Sequence, residues 1–294
     1  MHIRLIILLT SWLLCSSAFA ERCKYERYES VNRDLDGIAS IELNALAGEL
    51  DIQSHSADEL AIRGRICTDS EQYLDDIKLE VEQSNDRLVV TVIIPHRDLL
   101  WGSDYAIMNL EVELPAGKPI HIRDSSGDIN LRGISAVSIN DSSGKIKGVD
   151  LQSDSRIQDS SGDVVIRGLK GSVTITDSSG DLDFSDVTGN IDIVADGSGE
   201  IDISNTGGYV LVGQDGSGDI AVDNTGSDVT VNSDGSGNIL ISEVEGHVHI
   251  GTDGSGSVNV SDVAGNFLVD AKGSGNVRTK RIHGDISTPR SSHR

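Results

Sequence analysis

Acidic side chains that recur at a fixed interval are the first candidates for chemistry in this chain. Asp181 and Asp183 precede Glu200 and Asp202 by 19 residues each. If the chain makes one turn in that interval, all four carboxylates point outward within one strand spacing. Such oxygen ligands suit Ca²⁺, so these residues form a candidate cation patch. The alternative is a solvated acidic ridge that keeps a rod soluble, since the Gly-Gly-x-Gly-x-Asp repeat of calcium-binding β-rolls is absent.

Two histidines are a second candidate. His247 and His249 flank Val248 in the stretch GHVHI, so they share an outward face, and Asp228 is expected one coil away. A zinc site needs three or four ligands, and the pattern offers only these three. Ordinary exposed histidines are therefore the favoured interpretation.

Catalysis finds little support in the pattern. Serine recurs once per repeat, as a turn residue should, and no serine, histidine and acid stand at a spacing typical of a catalytic set. The repeats also hold few aromatic residues that could wall a substrate cleft: Phe184, Tyr209 and Phe267. We predict that the chain is not an enzyme and needs no cofactor.

The elements that position these residues follow from an internal repeat. The tetrapeptide Asp-x-Ser-Gly recurs every 17 to 19 residues at Asp124, Asp141, Asp159, Asp177, Asp196, Asp215, Asp234 and Asp253, and Lys272 takes the place of Asp in the last copy. With the Asp counted as position 1, apolar residues fall at positions 6, 8, 15 and 17. Each pair alternates with period two, which is typical of a half-buried strand. One repeat is therefore strand, turn, strand, turn.

Such a short unit cannot bury a face alone, so stacking of the copies must build the core. The sequence predicts an all-β, single-domain parallel β-solenoid of about 19 residues per coil, right-handed by the preference of parallel crossovers. A propeller blade needs about twice that length. In this fold the tetrapeptide is a tight turn, where Gly adopts positive φ and the Asp carboxylate accepts a hydrogen bond from the backbone two residues on.

The N-terminus has the pattern of an export signal. An early Arg4 and a short apolar run precede Ala18-Phe19-Ala20, so residues 1–20 are expected to be cleaved. We therefore predict an exported protein, periplasmic or secreted to the cell surface, whose mature chain has no transmembrane segment. The mature chain keeps Cys23 and Cys67, which are expected to form a disulfide.

The remaining boundaries follow from how regular the repeat is. Residues 21–37 form an N-terminal segment held by that disulfide, and 38–123 are irregular coils of the same solenoid. Residues 124–284 are the regular solenoid, and 285–294 are a flexible tail. The longest irregular stretch, 96–108, holds Trp101 and Tyr105, which would either cover the core or act as a binding loop.

Charge restricts the class of partner. The chain has 24 Lys and Arg against 47 Asp and Glu, a formal net charge of −23. Such a surface repels nucleic acid and anionic membranes and attracts cations or basic partners.

The repeats resemble those of a bacterial adhesin-like domain family of unknown function, related to the head domain of autotransporter adhesins. The residues that carry this resemblance are DSSGDINLRG from Asp124, DSSGDVVIRG from Asp159, DGSGDIAVDNTG from Asp215 and DGSGNILISEVEG from Asp234. The resemblance implies a β-helical, extracytoplasmic protein without known enzymatic activity.

The function predicted from the sequence is that of a non-enzymatic envelope protein. Its acidic repetitive surface would bind an unidentified envelope or extracellular protein or glycan. The alternative is a calcium- or polysaccharide-binding module, and a β-helix polysaccharide hydrolase or lyase is third.

Overall fold

The computed structural model describes residues 23–94, 106–135 and 137–289. Within these ranges the protein is all-β apart from one short 3-10 helix, Glu71–Tyr73. The strands form a parallel β-solenoid of about nine turns with about 19 residues per coil, which confirms the predicted fold. No helix of the described ranges is long and apolar enough to cross a bilayer.

The described strands form two sheets, and the first carries one strand from each regular coil together with added strands at the N-terminal end. Its thirteen strands, in spatial order from the N-terminal end, are β1 (Tyr25–Asp34), β4 (Glu59–Thr68), β7 (Ala106–Pro115), β3 (Leu50–His55), β9 (Ile129–Arg132), β11 (Ile146–Leu151), β13 (Val164–Leu169), β15 (Leu182–Val187), β17 (Ile201–Thr206), β19 (Ile220–Thr225), β21 (Ile239–Val244), β23 (Val258–Val263) and β25 (Val277–Ile282).

The second sheet carries the other strand of each coil. From the same end its thirteen strands are β5 (Lys78–Ser84), β6 (Arg87–Ile93), β2 (Ser40–Asn44), β8 (Ile120–Arg123), β10 (Val137–Asn140), β12 (Ser155–Gln158), β14 (Val173–Thr176), β16 (Ile191–Ala195), β18 (Val210–Val212), β20 (Val229–Asp234), β22 (Val248–Ser255), β24 (Phe267–Ser274) and β26 (Ile286–Ser287).

The core is a narrow layer between the two sheets. Equivalent residues stack from coil to coil, so that Ile201 pairs with Ile220 and Ile220 pairs with Ile239. Their side chains are buried, as are those of Phe184 and Phe267. Each such side chain contributes about 1.5–3 kcal/mol of burial free energy. The coils are therefore held together by apolar side chains that stack on the equivalent side chains of the neighbouring coils.

The N-terminal end departs from the parallel pattern. Strand β4 pairs antiparallel with both β1 and β7, and β5 pairs antiparallel with β6. Strands β2, β3 and β8 of the same region pair parallel with their neighbours and continue the solenoid. The disulfide between Cys23 and Cys67, with 5.3 Å between the Cα atoms, ties the start of the described chain to the end of β4.

Glycine at position 4 is needed because the coils approach each other closely there. Gly199 has a φ of +145°, and a Cβ atom at this residue would collide with the carbonyl oxygen of Gly180 in the preceding coil. The same contact recurs from coil to coil, for example at Gly218 against Gly199. The tetrapeptide turn can therefore stack only if this position lacks a side chain.

Candidate functional site

The most unusual feature of the molecule is a row of buried acidic side chains. We call it the aspartate column, and it consists of the position-1 residues Asp124, Asp141, Asp159, Asp177, Asp196, Asp215, Asp234 and Asp253. Each lies where a second-sheet strand turns toward the first sheet, and each is between 1% and 5% exposed. Asp196, Asp215 and Asp234 are direct neighbours in successive coils. The carboxyl groups are therefore stacked at about the strand spacing of 4.8 Å.

The two ends of the column are chemically different. At the C-terminal end Lys272 occupies position 1, and its Nζ lies 2.6 Å from Oδ2 of Asp253. The same ammonium donates to the carbonyl oxygens of Gly256 (2.8 Å) and Ser274 (2.7 Å), and the Lys272 side chain is 6% exposed. At the N-terminal end Ala45 takes the equivalent position, so the first acidic rung has no charged neighbour on that side.

Hydrogen bonding along the column is incomplete. At each of the seven described rungs from Asp124 to Asp234, at least one carboxylate oxygen is buried and makes no hydrogen bond. Both oxygens of Asp177 and of Asp196 are in this state. A buried polar group without a partner costs free energy, and a buried charge costs more. The column therefore needs some other means of neutralising its charge.

The pKa values of the column show the same conflict. Burial, with the charge of neighbouring rungs, raises the pKa of Asp124 and of Asp215 to about 7. Burial likewise raises the pKa of Asp159, Asp196 and Asp234 to about 6. Backbone N–H groups of the turns oppose this effect less strongly. Part of the column is thus expected to be protonated near neutral pH.

The turn hydrogen bond predicted from the sequence recurs along the column, because the backbone N–H of the Ser two residues on opposes the rise in pKa at every rung from Asp124 to Asp234. The backbone N–H two residues on donates to Asp141 at 3.4 Å, whereas the adjacent N–H donates at 2.7 Å to Asp141 and also to Asp159. The inward orientation of this side chain was not predicted from the sequence. A signal was present in the 17- and 18-residue coils, where the inward alternation of Val173 and Ile175 runs on directly to Asp177.

The predicted cation patch is in register but does not converge on one point. Asp183 lies opposite Asp202 on the neighbouring strand, as the 19-residue interval implied. However, Asp183 pairs with Arg167 at 2.6 Å, and Oδ1 of Asp181 accepts the backbone N–H of Glu200 at 2.9 Å. Within the described ranges no three His, Cys, Asp or Glu side chains are arranged to hold a metal ion.

Position 5 is in fact a second stacked row with a structural role. A carboxylate there accepts the backbone N–H of the same position in the next coil, as Asp181 does for Glu200. Asp128 accepts from Lys145 at 3.0 Å, and Asp219 accepts from Asn238 at 2.8 Å. The outer acidic residues at this corner therefore satisfy backbone donors that the turn leaves free.

The two histidines do not form a metal site with Asp228. Nδ1 of His247 accepts the backbone N–H of Asn266 at 2.8 Å, while the backbone N–H of His247 donates to Asp228 at 2.7 Å. His249 instead has its Nε2 2.9 Å from Oδ2 of Asp270. The less favoured zinc interpretation finds no support in this arrangement, because His247 belongs to the row that links the corners of successive coils. Trp101 and Tyr105 lie outside the described residues.

A concave surface of about 780 Å³ lies on the outer face of the first sheet, near the N-terminal end. We call it the trough, and the side chains that line it come from β1, β4, β7, β3, β9 and β11. Its polar and charged lining consists of Ser30, Asn32, Asp51, Gln53, Arg63, Glu111, Glu113, Asn130, Arg132 and Lys147.

Contacts within the trough hold its floor in place. Nε2 of Gln53 donates to Glu113 at 2.6 Å, and Arg63 lies 4.0 Å from Glu111. The Arg63 and Glu111 side chains are 79% and 70% exposed, so both remain accessible to a ligand. The trough thus presents both signs of charge together with amide groups. It shares no residue with the aspartate column, whose carboxyl groups solvent does not reach.

Comparison with known proteins yields distant likenesses only. No family model and no curated protein matches the chain. Among solved structures, a "putative cell adhesion protein" from Clostridium sporogenes is 12% identical with a TM-score of 0.26, over 90% of this chain and 98% of that one. A "putative adhesin" from Bacteroides fragilis is 12% identical with a TM-score of 0.36, over 89% and 96%.

A third solved structure has a different name. A "putative lipid binding protein" from Parabacteroides distasonis is 12% identical with a TM-score of 0.33, over 89% of this chain and 97% of that one. At these values the likenesses are too distant to transfer a function to this chain.

Proposed function

We propose that the chain is a non-enzymatic, exported, adhesin-like protein that presents a repetitive acidic surface to an envelope or extracellular partner. The observation that carries the proposal is where the repeat places its acidic residues. Position 1 is buried in the column, and position 5 binds backbone donors of the next coil. Neither set lines a cleft, which supports a non-enzymatic role, and the acidic surface itself is formed by other, outward residues such as Asp183 and Asp202.

The charge of the chain indicates the chemistry of the partner. The outward carboxylates of Asp183 and Asp202 lie on neighbouring strands, and the formal net charge is −23. A partner with basic groups, or one bridged by cations, would be attracted to this surface.

The trough favours a second candidate, a polysaccharide-binding module. Its volume of about 780 Å³ falls in the range of ligand sites. Its amide, carboxylate and guanidinium groups are donors and acceptors suited to a hydroxyl-rich ligand. In this form of the proposal a glycan of the envelope is the partner.

Export is part of the proposal and rests on residues 1–20, which lie outside the described residues. Mass spectrometry of the protein recovered from the periplasm or the medium should give a mature chain that begins at Glu21. A full-length chain retained in the cytoplasm would contradict export.

The partner proposal is tested by labelled mature protein on a glycan array and on isolated envelope fractions. The double variant Arg63→Ala, Arg132→Ala removes two cations from the trough, and Arg156→Ala on the outer face of the second sheet is the matched control. If the trough is the contact, the double variant loses at least about tenfold in affinity, which is about 1.4 kcal/mol. The control should bind as the wild type does, and equal loss in both would contradict a role of the trough.

A further inference from the structure

The C-terminal end of the aspartate column shows that this interior can hold a positive charge. The Lys272 ammonium sits in line with the column and contacts three oxygens, which belong to Asp253, Gly256 and Ser274. Its side chain is almost fully buried, and the carboxylate that it meets has no measurable exposure. The chain thus places its own cation at the ninth position of the row.

The oxygens that surround this ammonium recur in the preceding coils. They come from the position-1 Asp and the position-4 Gly of one coil and the position-3 Ser of the next. Between Asp215 and Asp234 the same positions are Gly218 and Ser236, and the backbone of these two is linked by the equivalent hydrogen bond, at 3.0 Å against 3.3 Å at Lys272. Asp234 occupies the position that Lys272 has in the last coil. This rung therefore has two carboxylates, and neither of its two position-1 residues supplies a positive charge.

The two carboxylates at this rung are buried and poorly satisfied. Asp215 and Asp234 are each 2% exposed, and no donor reaches their four carboxylate oxygens with good hydrogen-bond geometry, although the turn N–H groups of Ser217 and Ser236 lie near them. Two like charges one strand spacing apart in a dry interior repel each other strongly. These oxygens are unpartnered, nine-tenths buried and directed into the same interior row that holds the Lys272 ammonium.

We propose that the column binds Ca²⁺ between Asp215 and Asp234, at the place equivalent to the Lys272 ammonium. The carboxylates of the two aspartates and the carbonyl oxygens of Gly218 and Ser236 supply hard oxygen ligands, and bidentate carboxylates bring the number to about six. One divalent ion neutralises both carboxylates. The site differs from the outward patch at Asp181, Asp183, Glu200 and Asp202, because only two carboxylates meet and the backbone supplies the rest.

The test measures calcium bound to the full mature chain. Protein is unfolded in urea with chelator, refolded with or without Ca²⁺ at pH 7.5 and dialysed to equilibrium, and its calcium content is determined by atomic emission. The double variant Asp215→Asn, Asp234→Asn is compared with Asp183→Asn, Asp202→Asn, which removes the same charge from the outer face. Circular dichroism checks that each variant has refolded.

The wild type and the outer-face variant should retain calcium and show a higher urea midpoint with Ca²⁺ than without. The column variant should bind about one ion fewer per chain and lose that gain. A calcium-free wild type, or equal loss in both double variants, would overturn the proposal.

Lys272→Ala provides a test that does not depend on the folding of the column variant. Removal of the ammonium leaves the Asp253 carboxylate, which neighbours that of Asp234, open to a metal ion that the two carboxylates share, so this variant should bind about one calcium ion more than the wild type. An unchanged calcium content would also overturn the proposal. Because the trough shares no residue with the column, either result leaves the proposed partner binding to be judged by its own experiment.

Discussion

Substitution of Asp124 by asparagine is expected to stabilise the protein at pH 8, unlike most substitutions of a buried residue. Asp124 is the first rung of the column and is 5% exposed, and the turn N–H groups of Ser125 and Ser126 offset its burial only in part. Burial and then the charge of Asp141 raise its pKa from the ordinary 3.8 to about 7. It lies five coils from the proposed calcium site between Asp215 and Asp234.

The direction of the effect follows from proton binding in the two states. Between about pH 4 and pH 7 the folded protein keeps a proton on Asp124 that the unfolded chain has released, so stability falls as the pH rises. Below pH 4 both states are protonated, and above pH 7 both are charged. A pKa that rises from 3.8 to about 7 corresponds to a cost of at most about 4 kcal/mol at pH 8. Asparagine has a similar shape and carries no charge, so it avoids this cost.

The assay is urea unfolding with chelator present, followed by circular dichroism at pH 3.5, 5 and 8. Asp124→Asn should exceed the wild type by about 2–4 kcal/mol at pH 8, by less at pH 5, and by almost nothing at pH 3.5. Asp202→Asn removes the same charge from an exposed position and should show no such trend. A variant that is no more stable than the wild type at pH 8, or a difference that does not change with pH, would refute the reasoning.

Three further predictions concern what holds the coils together. Lys272→Met leaves a buried carboxylate without its cation and should destabilise the chelated protein by about 3–5 kcal/mol at pH 7 in urea unfolding; a change below 1 kcal/mol would show that the ion pair is not needed. Gly199→Ala forces a Cβ atom against the carbonyl oxygen of Gly180 in the preceding coil and should lower the thermal midpoint. The control Asp202→Ala, at an exposed and outward-facing residue, should lower it less, and equal shifts would contradict the close approach of the coils. Cys67→Ser removes a disulfide that closes a loop with a sequence separation of 44, and it should lower the free energy of unfolding by about 3–4 kcal/mol. A reducing agent should destabilise the wild type by the same amount and should leave the variant unchanged.

The solenoid could be predicted from the sequence because its determinants are local and repeated. The alternation at Ile201 and Ile203 marks an inward face, and the same pattern 19 residues later at Ile220 and Val222 requires the two segments to stack. The antiparallel additions at the N-terminal end could not be predicted in this way. Strands β4 and β7 are separated by almost forty residues and carry no repeat, so their pairing depends on contacts distant in sequence.

Candidate sites were harder to infer because exposure is not a local property. The outward carboxylates at Asp183 and Asp202 were placed correctly on neighbouring strands, since strand alternation determines on which face they lie. The pairing of Asp183 with Arg167 and the hydrogen bond from the Glu200 backbone to Asp181 were not predicted, because such contacts exist only once the coils stack. The trough was missed for a related reason, since it needs six strands that come from three separate parts of the sequence.

The sequence by itself determined the period, the inward and outward faces and the need for glycine at the turn, because steric limits and two-residue alternation act within one coil. Only the tertiary structure decided that the repeated Asp is a buried column. In a single turn that carboxylate would be hydrated, and its burial, raised pKa and unpartnered oxygens arise when the coils above and below exclude water. The role of Lys272 also depends on the tertiary structure. In the sequence this residue is only a departure from the repeat, whereas in the fold its ammonium group ends the column by pairing with Asp253.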